Sequence, residues 1–318
     1  VVNALLGPVV SQYLSTLAVK LETLGISKPL QIMQSNGGLM SALRASKSPA
    51  KILESGPAAG VIAAAKVAAL SDVTDLITLD MGGTTAKTAI VEDGKPAKTT
   101  EYEVGSGINL SSRLLRGAGY AVKLPFIDVS EIGAGGGSKV WFDDGNLIHV
   151  GPQSAGSSPG PVCYGMGGLQ PTVTDCALAL GFIDPSFFLG GAMQLDKVAA
   201  KTAIEKNVSK ILKISVEEAA EAVLALATEK MVGAIEEITV NQGIDPKSAC
   251  LIGGGGAAGL NANAVAKRLG CGKAIIPNVG AALSASGALM SDLSSEFAKI
   301  SFASGKSFKF EQINSVLN

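Results

Sequence analysis

The sequence predicts an α/β protein with a mixed sheet flanked by helices. Three observations carry that prediction. Strand-like and helix-like runs alternate late in the chain, over residues 250–291, as α/β layering requires. Three runs after residue 76 read as antiparallel strands, so the sheet is not purely parallel. The 39 glycines sit in short runs without a repeat, which marks turns and close backbone approaches.

The elements follow in order. Residues 3–24 read as a helix, with Leu5, Val9, Tyr13, Leu14, Leu17, Val19 and Leu21 at helical spacing and Gly25 as its end. Residues 30–34 are a short apolar strand closed by Ser35-Asn36-Gly37-Gly38, a strong turn signal. Residues 60–70 are almost all Ala and Val, the composition of a helix buried on most faces. Residues 76–79, 88–91 and 98–104 are strands, with Glu92-Asp93-Gly94-Lys95 as a hairpin turn. Residues 132–144 give a glycine turn and a strand containing Trp141. Residues 151–171 are rich in Gly, Pro and Ser and read as one long loop. Residues 172–242 are mostly helical, and 216–240 form a long helix with an acidic face. Strands at 250–252 and 274–276 alternate with helices at 257–269 and 281–291.

Composition removes several classes. A length of 318 residues suggests about two domains. Hydrophobic content of 47% against 17% charge excludes a disordered chain. A net charge of −1 gives no electrostatic case for nucleic acid or an anionic membrane. No apolar run reads as the ~18 residues a spanning helix needs. The four cysteines, Cys163, Cys176, Cys250 and Cys271, form no close pair and fit small buried thiols in a reducing cytoplasm. His149 is the only histidine, so a multi-histidine metal site within this chain is excluded. The chain opens with Val1-Val2-Asn3 directly into a helical pattern. An internal start is therefore expected, natural or trimmed.

Three glycine motifs could carry chemistry. In Asp80-Met81-Gly82-Gly83-Thr84-Thr85, two residues without Cβ let backbone N–H groups crowd a phosphate. Asp80 could hold a Mg²⁺-bound water, and Thr84 and Thr85 offer hydroxyls. The structural alternative is an ordinary hairpin with Asp80 as turn acceptor. Gly253-Gly254-Gly255-Gly256 lies between a strand and a helix, where a helix N-terminus favours an anion. The alternative is a tight, closely packed turn. Gly133-Ala134-Gly135-Gly136-Gly137-Ser138 follows Asp128 and Glu131 and could form a substrate or phosphate loop, with either acid in acid–base or metal chemistry. It could equally be a turn with capping carboxylates.

Single residues are less specific. Thr172 or Thr174 could cap a helix with Asp175 in its first turn. Lys87 could reach a phosphate or be a solvated strand lysine. His149 reads as a core or edge histidine, and Cys163 lacks a partner histidine.

In this order the motifs resemble the second half of an actin/hexokinase/chaperone-type ATPase, with a ribonuclease H-like fold missing its N-terminal portion. Within that superfamily the chain resembles the hydantoinase A/oxoprolinase family nearly end to end. The matching segments are 33–38, 55–60, 80–84, 133–138, 151–156, 159–165 and 171–175. The resemblance implies ATP and Mg²⁺ as cofactors, with Asp80 (through metal-bound water), Lys87 and Asp128 in catalysis. It implies nucleotide contacts at Gly82, Gly83, Thr84, Thr85, Gly253, Gly254, Gly255 and Gly256. A substrate loop would include Gly135, Gly136, Gly137 and Asp175. Residues 1–70 would be the remainder of a first ATPase subdomain with a connecting helix, 71–292 the second subdomain, and 293–318 a C-terminal extension.

The resemblance further implies a cytoplasmic, oligomeric hydrolase of cyclic amides such as hydantoins, in which ATP activates the substrate by phosphorylation and a B-type subunit completes the reaction. Ketone carboxylation, 5-oxoproline hydrolysis and a nucleotide-binding module inactive alone are the alternatives. Three positions depart from many relatives. Lys87 stands where an acid is common, Ser130 where a histidine is common, and Asn261 or Leu260 where another histidine occurs. All three remove acid or metal-ligand character. The Thr85-Ala86-Lys87 and Glu131-Ile132-Gly133-Ala134-Gly135 forms resemble N-methylhydantoinase-like or acetophenone-carboxylase-like members. The family's first Asp-x-Gly-Gly-Thr phosphate loop is not in this sequence.

Overall fold

The structure is a computed structural model and describes residues 1–104, 119–295, 305 and 310–317. Most of the expected extension over 293–318 lies outside the described residues.

Helix α1 (Val2–Thr23) packs through Val10 and Leu14 on Ala45 of α2 (Ala42–Lys47) and on Met40 just before it. Strands β1 (Gln31–Met33) and β2 (Leu39–Ser41) form a small antiparallel hairpin. Residues 292–294 run back beside β2: Leu39 N–H donates to the Asp292 carbonyl, and Ser294 N–H donates to the Leu39 carbonyl. One sequence expectation is corrected here. At 22 residues, α1 is long and apolar enough, by length and composition alone, to cross a membrane. Leu5, Val9, Tyr13 and Val19 on it are exposed.

The main sheet is built from β3 (Leu76–Met81), β4 (Ala86–Glu92), β5 (Lys95–Pro96) and three later strands. Asp93 and Gly94 both have positive φ, which matches the right-handed twist of the β4–β5 hairpin. The expected strand at 98–104 is two pieces, β6 (Lys98–Thr99) and β7 (Tyr102–Val104), which pair with β9 (Phe126–Ile127) and β8 (Tyr120–Val122) respectively. The alternation of 98–104 is real, but its two halves pair with different strands.

Strand β10 (Val129–Ile132) closes one edge of the main sheet. Strands β11 (Ser138–Phe142) and β12 (Ile148–Ser154) make a separate hairpin, so β12 takes the first residues of the expected 151–171 loop. Strands β13 (Cys250–Gly254) and β14 (Lys273–Ile275) complete the order β10-β4-β3-β13-β14, with β5 on β4. β13 is parallel to β3 and β14, while β4 is antiparallel to β3 and β10. The sheet is mixed, as expected.

Both sheet faces are covered. Helix α3 (Ser55–Ala69) and α9 (Leu283–Met290) cover one, packing on Leu76, Ala89, Val91, Val129 and Ile252. Helix α4 (Val173–Ala179), α5 (Lys197–Ile204), the short α6 (Lys210–Leu212), α7 (Val216–Gln242) and α8 (Ala258–Leu269) build the other side. There Ile77, Leu79 and Met81 meet Val223, Ala227 and Met231. Burial on both faces explains why β3 reads as a nearly continuous apolar run. α7 begins with the reciprocal Ser215–Glu218 capping box and stops at Gly243 in the left-handed region. A final helix, α10 (Phe310–Leu317), follows.

Candidate functional site

Strand alternation places Asp80 on the α3/α9 face of β3, between Leu79 and Met81, which point the other way. Asp80 is the penultimate residue of β3 rather than its end. Its register partners are Gly254 on β13 and Lys87 on β4, and Lys87 in turn pairs with Glu131 on β10. Directly opposed residues share a face. One row therefore runs Gly254–Asp80–Lys87–Glu131 across four strands. Ser284, in the first turn of α9, donates its hydroxyl to Asp80 Oδ2 at 3.1 Å. A crevice lined by Pro57, Gly60, Thr78, Asp80, Lys87 and Leu283 has about 10 Å³ of space for water centres, enough for about one water.

The 82–85 turn projects from the end of this row. Gly82 N–H donates to the Thr85 carbonyl at 3.0 Å and closes the turn. Gly83 and Thr84 are exposed. Their N–H groups make no backbone hydrogen bond among the described residues. Nothing lies within 4 Å of a Cβ built on Gly83. Among the described residues this leaves two N–H donors without a hydrogen bond on a short exposed loop, a feature an anion could use.

Gly135, Gly136 and Gly137 lie beneath that turn, which corrects the expectation of a substrate loop. Gly136 N–H donates to the Gly82 carbonyl at 3.0 Å and Gly137 N–H to the Gly83 carbonyl at 2.5 Å. A Cβ on Gly135 would sit 2.6 Å from the Thr84 carbonyl carbon. The donors a ligand would need are thus spent on the turn itself. Thr174 fixes the layer below, its N–H and its hydroxyl each donating to the Gly136 carbonyl at 2.8 Å.

Gly253 to Gly256 divide. Gly253 and Gly254 are buried in β13, Gly254 against Leu283. Gly255 has φ +85, donates to the Gly280 carbonyl at 2.8 Å, and lies so close that a Cβ would strike Asp80 Oδ1 and the Met81 carbonyl. Gly256 alone is exposed, with open space around its Cα, just before α8.

Two expected site residues fall elsewhere. Asp128 precedes β10 at the end that pairs with Ala89, three residues before Glu131, or about 10 Å along a strand. Gln242 Nε2 donates to it at 3.4 Å. It is outside the Asp80 row. Asp175 is fully buried. Its carboxylate accepts from Val162 N, Cys163 N, Thr172 N and the Thr172 hydroxyl, at 2.8–3.1 Å. It closes the Thr172 capping box and holds the 162–164 turn, a capping role rather than a substrate contact.

The weaker candidates resolve similarly. His149 Nε2 lies 2.8 Å from Asp143 Oδ2, and its ring stacks on Trp141. Cys163 is buried, and burial together with Asp175 raises its thiol pKa, the opposite of a nucleophile's need. Among the described residues no group of three or more His, Cys, Asp and Glu could hold a metal ion.

Glu54 was missed by sequence reasoning. Its Oε2 lies 3.9 Å from Lys87 Nζ. Burial raises its carboxyl pKa above the ordinary value, Lys87 and a Tyr102 hydrogen bond act against this, and nearby Glu131 adds to it. The signal was an acid immediately before a small-residue helix, which reads as a cap. Ser284 carried no signal, because its contact spans 204 residues.

Fold and turn together define a mixed α/β protein with an exposed glycine turn beside a carboxylate. Two solved ATP-dependent enzymes share this architecture. Nucleotide-free acetone carboxylase superposes with a TM-score of 0.78 and 28% identity, over 89% of this chain and 38% of that one. The caprolactamase of Pseudomonas jessenii gives 0.74 and 36%, over 91% and 40%.

The chain belongs to the hydantoinase/oxoprolinase family, whose profile matches residues 1–297. It is 38% identical over 293 residues to caprolactamase subunit alpha of Pseudomonas jessenii, covering 92% of this chain and 40% of that protein. It is 41% identical over 299 residues to a protein of Methanocaldococcus jannaschii, covering 94% and 44%. The chain thus spans less than half the length of these relatives.

Proposed function

We propose that this chain forms the nucleotide-handling part of an ATP-dependent hydrolase of cyclic amides, working with a B-type subunit. The carrying observation is the juxtaposition of free N–H groups at Gly83 and Thr84 with the Asp80–Lys87 row. The relation to caprolactamase subunit alpha supports a lactam-like substrate, and its name supports a multi-subunit assembly. The actin-like label for the fold and cytoplasmic residence are part of the same proposal.

ATP, when bound, would supply the phosphoryl group that on the amide oxygen activates the amide carbon toward attack by water. The chain's own residues supply position and charge. Gly83 and Thr84 N–H groups, with the Thr84 and Thr85 hydroxyls, bind phosphate oxygens. Lys87 offsets the negative charge that gathers there. Mg²⁺ commonly keeps several waters and takes one or two carboxylates plus substrate phosphates. Asp80 fits that pattern as a single carboxylate held by Ser284, with no three-ligand cluster among the described residues. Gly256, at the open start of α8, lies where an adenosine moiety could rest on backbone.

Nucleotide titration of the full-length protein beside its Asp80→Ala variant tests the site. ATP binding in the parent and its loss in the variant is expected; equal binding in both, or in neither, rejects the assignment. Phosphate release stimulated by hydantoins or lactams is the expected substrate result. Release stimulated only by a ketone with bicarbonate would move the protein to the carboxylase branch, which the acetone carboxylase superposition favours.

A further inference from the structure

Glu54 stands at the N-cap position of α3 yet makes no capping hydrogen bond. Acids at helix N-termini ordinarily turn back to the free N–H groups. This one turns toward the sheet instead. Its backbone N–H donates to Ser35 Oγ at 3.0 Å. Its carboxylate accepts from Tyr102, whose ring stacks on buried Phe126 at 4.8 Å between centroids. Both ends of the residue are therefore anchored, and the remaining carboxylate contact is Lys87 Nζ at 3.9 Å.

Lys87 needs such an anchor. Its register neighbours are both acids, Asp80 on one side and Glu131 on the other. A lysine ammonium is a point charge on a flexible stem, so it could swing onto either. It forms no ion pair with Asp80 among the described residues; its partner is Glu54, above the row. We propose that Glu54 is a positioning residue for Lys87. It holds the ammonium off Asp80 and over the row, leaving the Asp80 carboxylate without a lysine partner and one positive charge facing a terminal phosphate. The assignment rests on the ATP reading above.

The test uses the full-length protein with its partner subunit, as parent, Glu54→Gln, Lys87→Met and the double variant. The KM for ATP should rise about tenfold in each single variant, equivalent to 1.4 kcal/mol, with kcat changed less. The double variant should be no worse than Lys87→Met alone, because the two residues act as one unit. Independent, additive losses, or an unchanged KM in Glu54→Gln, would overturn the proposal.

A second measurement covers a variant that does not fold. Glu54→Asp keeps the charge and shortens the tether by one methylene. An amine-acylating reagent should then label Lys87 severalfold faster, read by peptide mass spectrometry, and an unchanged rate refutes the tether. A parent that binds no ATP would sink the ATP reading, while the labelling rates would still decide whether Glu54 restrains Lys87.

Discussion

The turn at 82–85 and the loop at 253–256 look alike as sequence. Each is a glycine run after an apolar strand, and the two strands, β3 and β13, are parallel neighbours. Their glycines are there for opposite reasons. Gly83 has empty space beside it, and its N–H makes no backbone hydrogen bond among the described residues. Gly254 and Gly255 have no such space, because Leu283, Asp80 and Met81 occupy the volume a side chain would fill. A glycine run after a strand therefore marks either a place for a ligand or a place where the protein packs on itself. Only the neighbours decide which. Here the closed loop presses against Asp80, the carboxylate that leads into the open turn.

The strongest way to break that comparison is Gly255→Ala. The new Cβ strikes Asp80 Oδ1 and the Met81 carbonyl, and the φ of +85 strains any L side chain. Left-handed strain of ~1–2 kcal/mol and overpacking of ~1–3 kcal/mol should together cost about 3 kcal/mol, read from a urea unfolding midpoint. A loss below about 1 kcal/mol would show that the loop is not close-packed.

Asp175→Asn tests the layer beneath the open turn. Its carboxylate accepts four hydrogen bonds with no exposure. An amide presents an NH₂ where an acceptor is needed, so about 2 kcal/mol of stability should be lost. The same measurement on Gly83→Ala should move stability by less than about 0.5 kcal/mol, since the added methyl meets nothing. If Gly83→Ala cost as much as Gly255→Ala, the contrast between the two glycine runs would collapse.

Local chemistry was legible in the sequence, and long-range pairing was not. The β4–β5 hairpin, the Thr172–Asp175 cap and the α7 acidic face each depend on residues a few positions apart, so periodicity and turn residues expose them. The pieces at 98–104 are set by partners at 120–127, which no local pattern reveals. The same holds for the site. Asp80 and the 82–85 turn could be seen from strand-turn-strand spacing. Glu131 replaces Asp128 in the row only because of how β10 registers on β4. Gly135 to Gly137 read like a phosphate loop because glycine alone does not say whether its N–H groups are free.

The smallest effect concerns charge at the row and sharpens why the two regions differ. Burial raises the Glu54 carboxyl pKa above the ordinary glutamate value of 4.5, Lys87 and Tyr102 oppose the shift, and Glu131 reinforces it. The folded state then holds a proton that the unfolded chain has already released. Stability tied to this group is fully present below the ordinary value and declines as pH rises through the raised one. Glu54→Gln cannot release that proton, so its stability relative to the parent should improve as pH climbs above 4.5. Paired denaturation curves at successive pH values would show it. A flat difference, or a parent that gains on the variant with rising pH, would mean that Lys87 outweighs desolvation and that the row rewards the ionised carboxylate. The expected sign instead describes a carboxylate kept in a sparingly hydrated place at some cost to the fold, beside a turn whose Gly83 stays open.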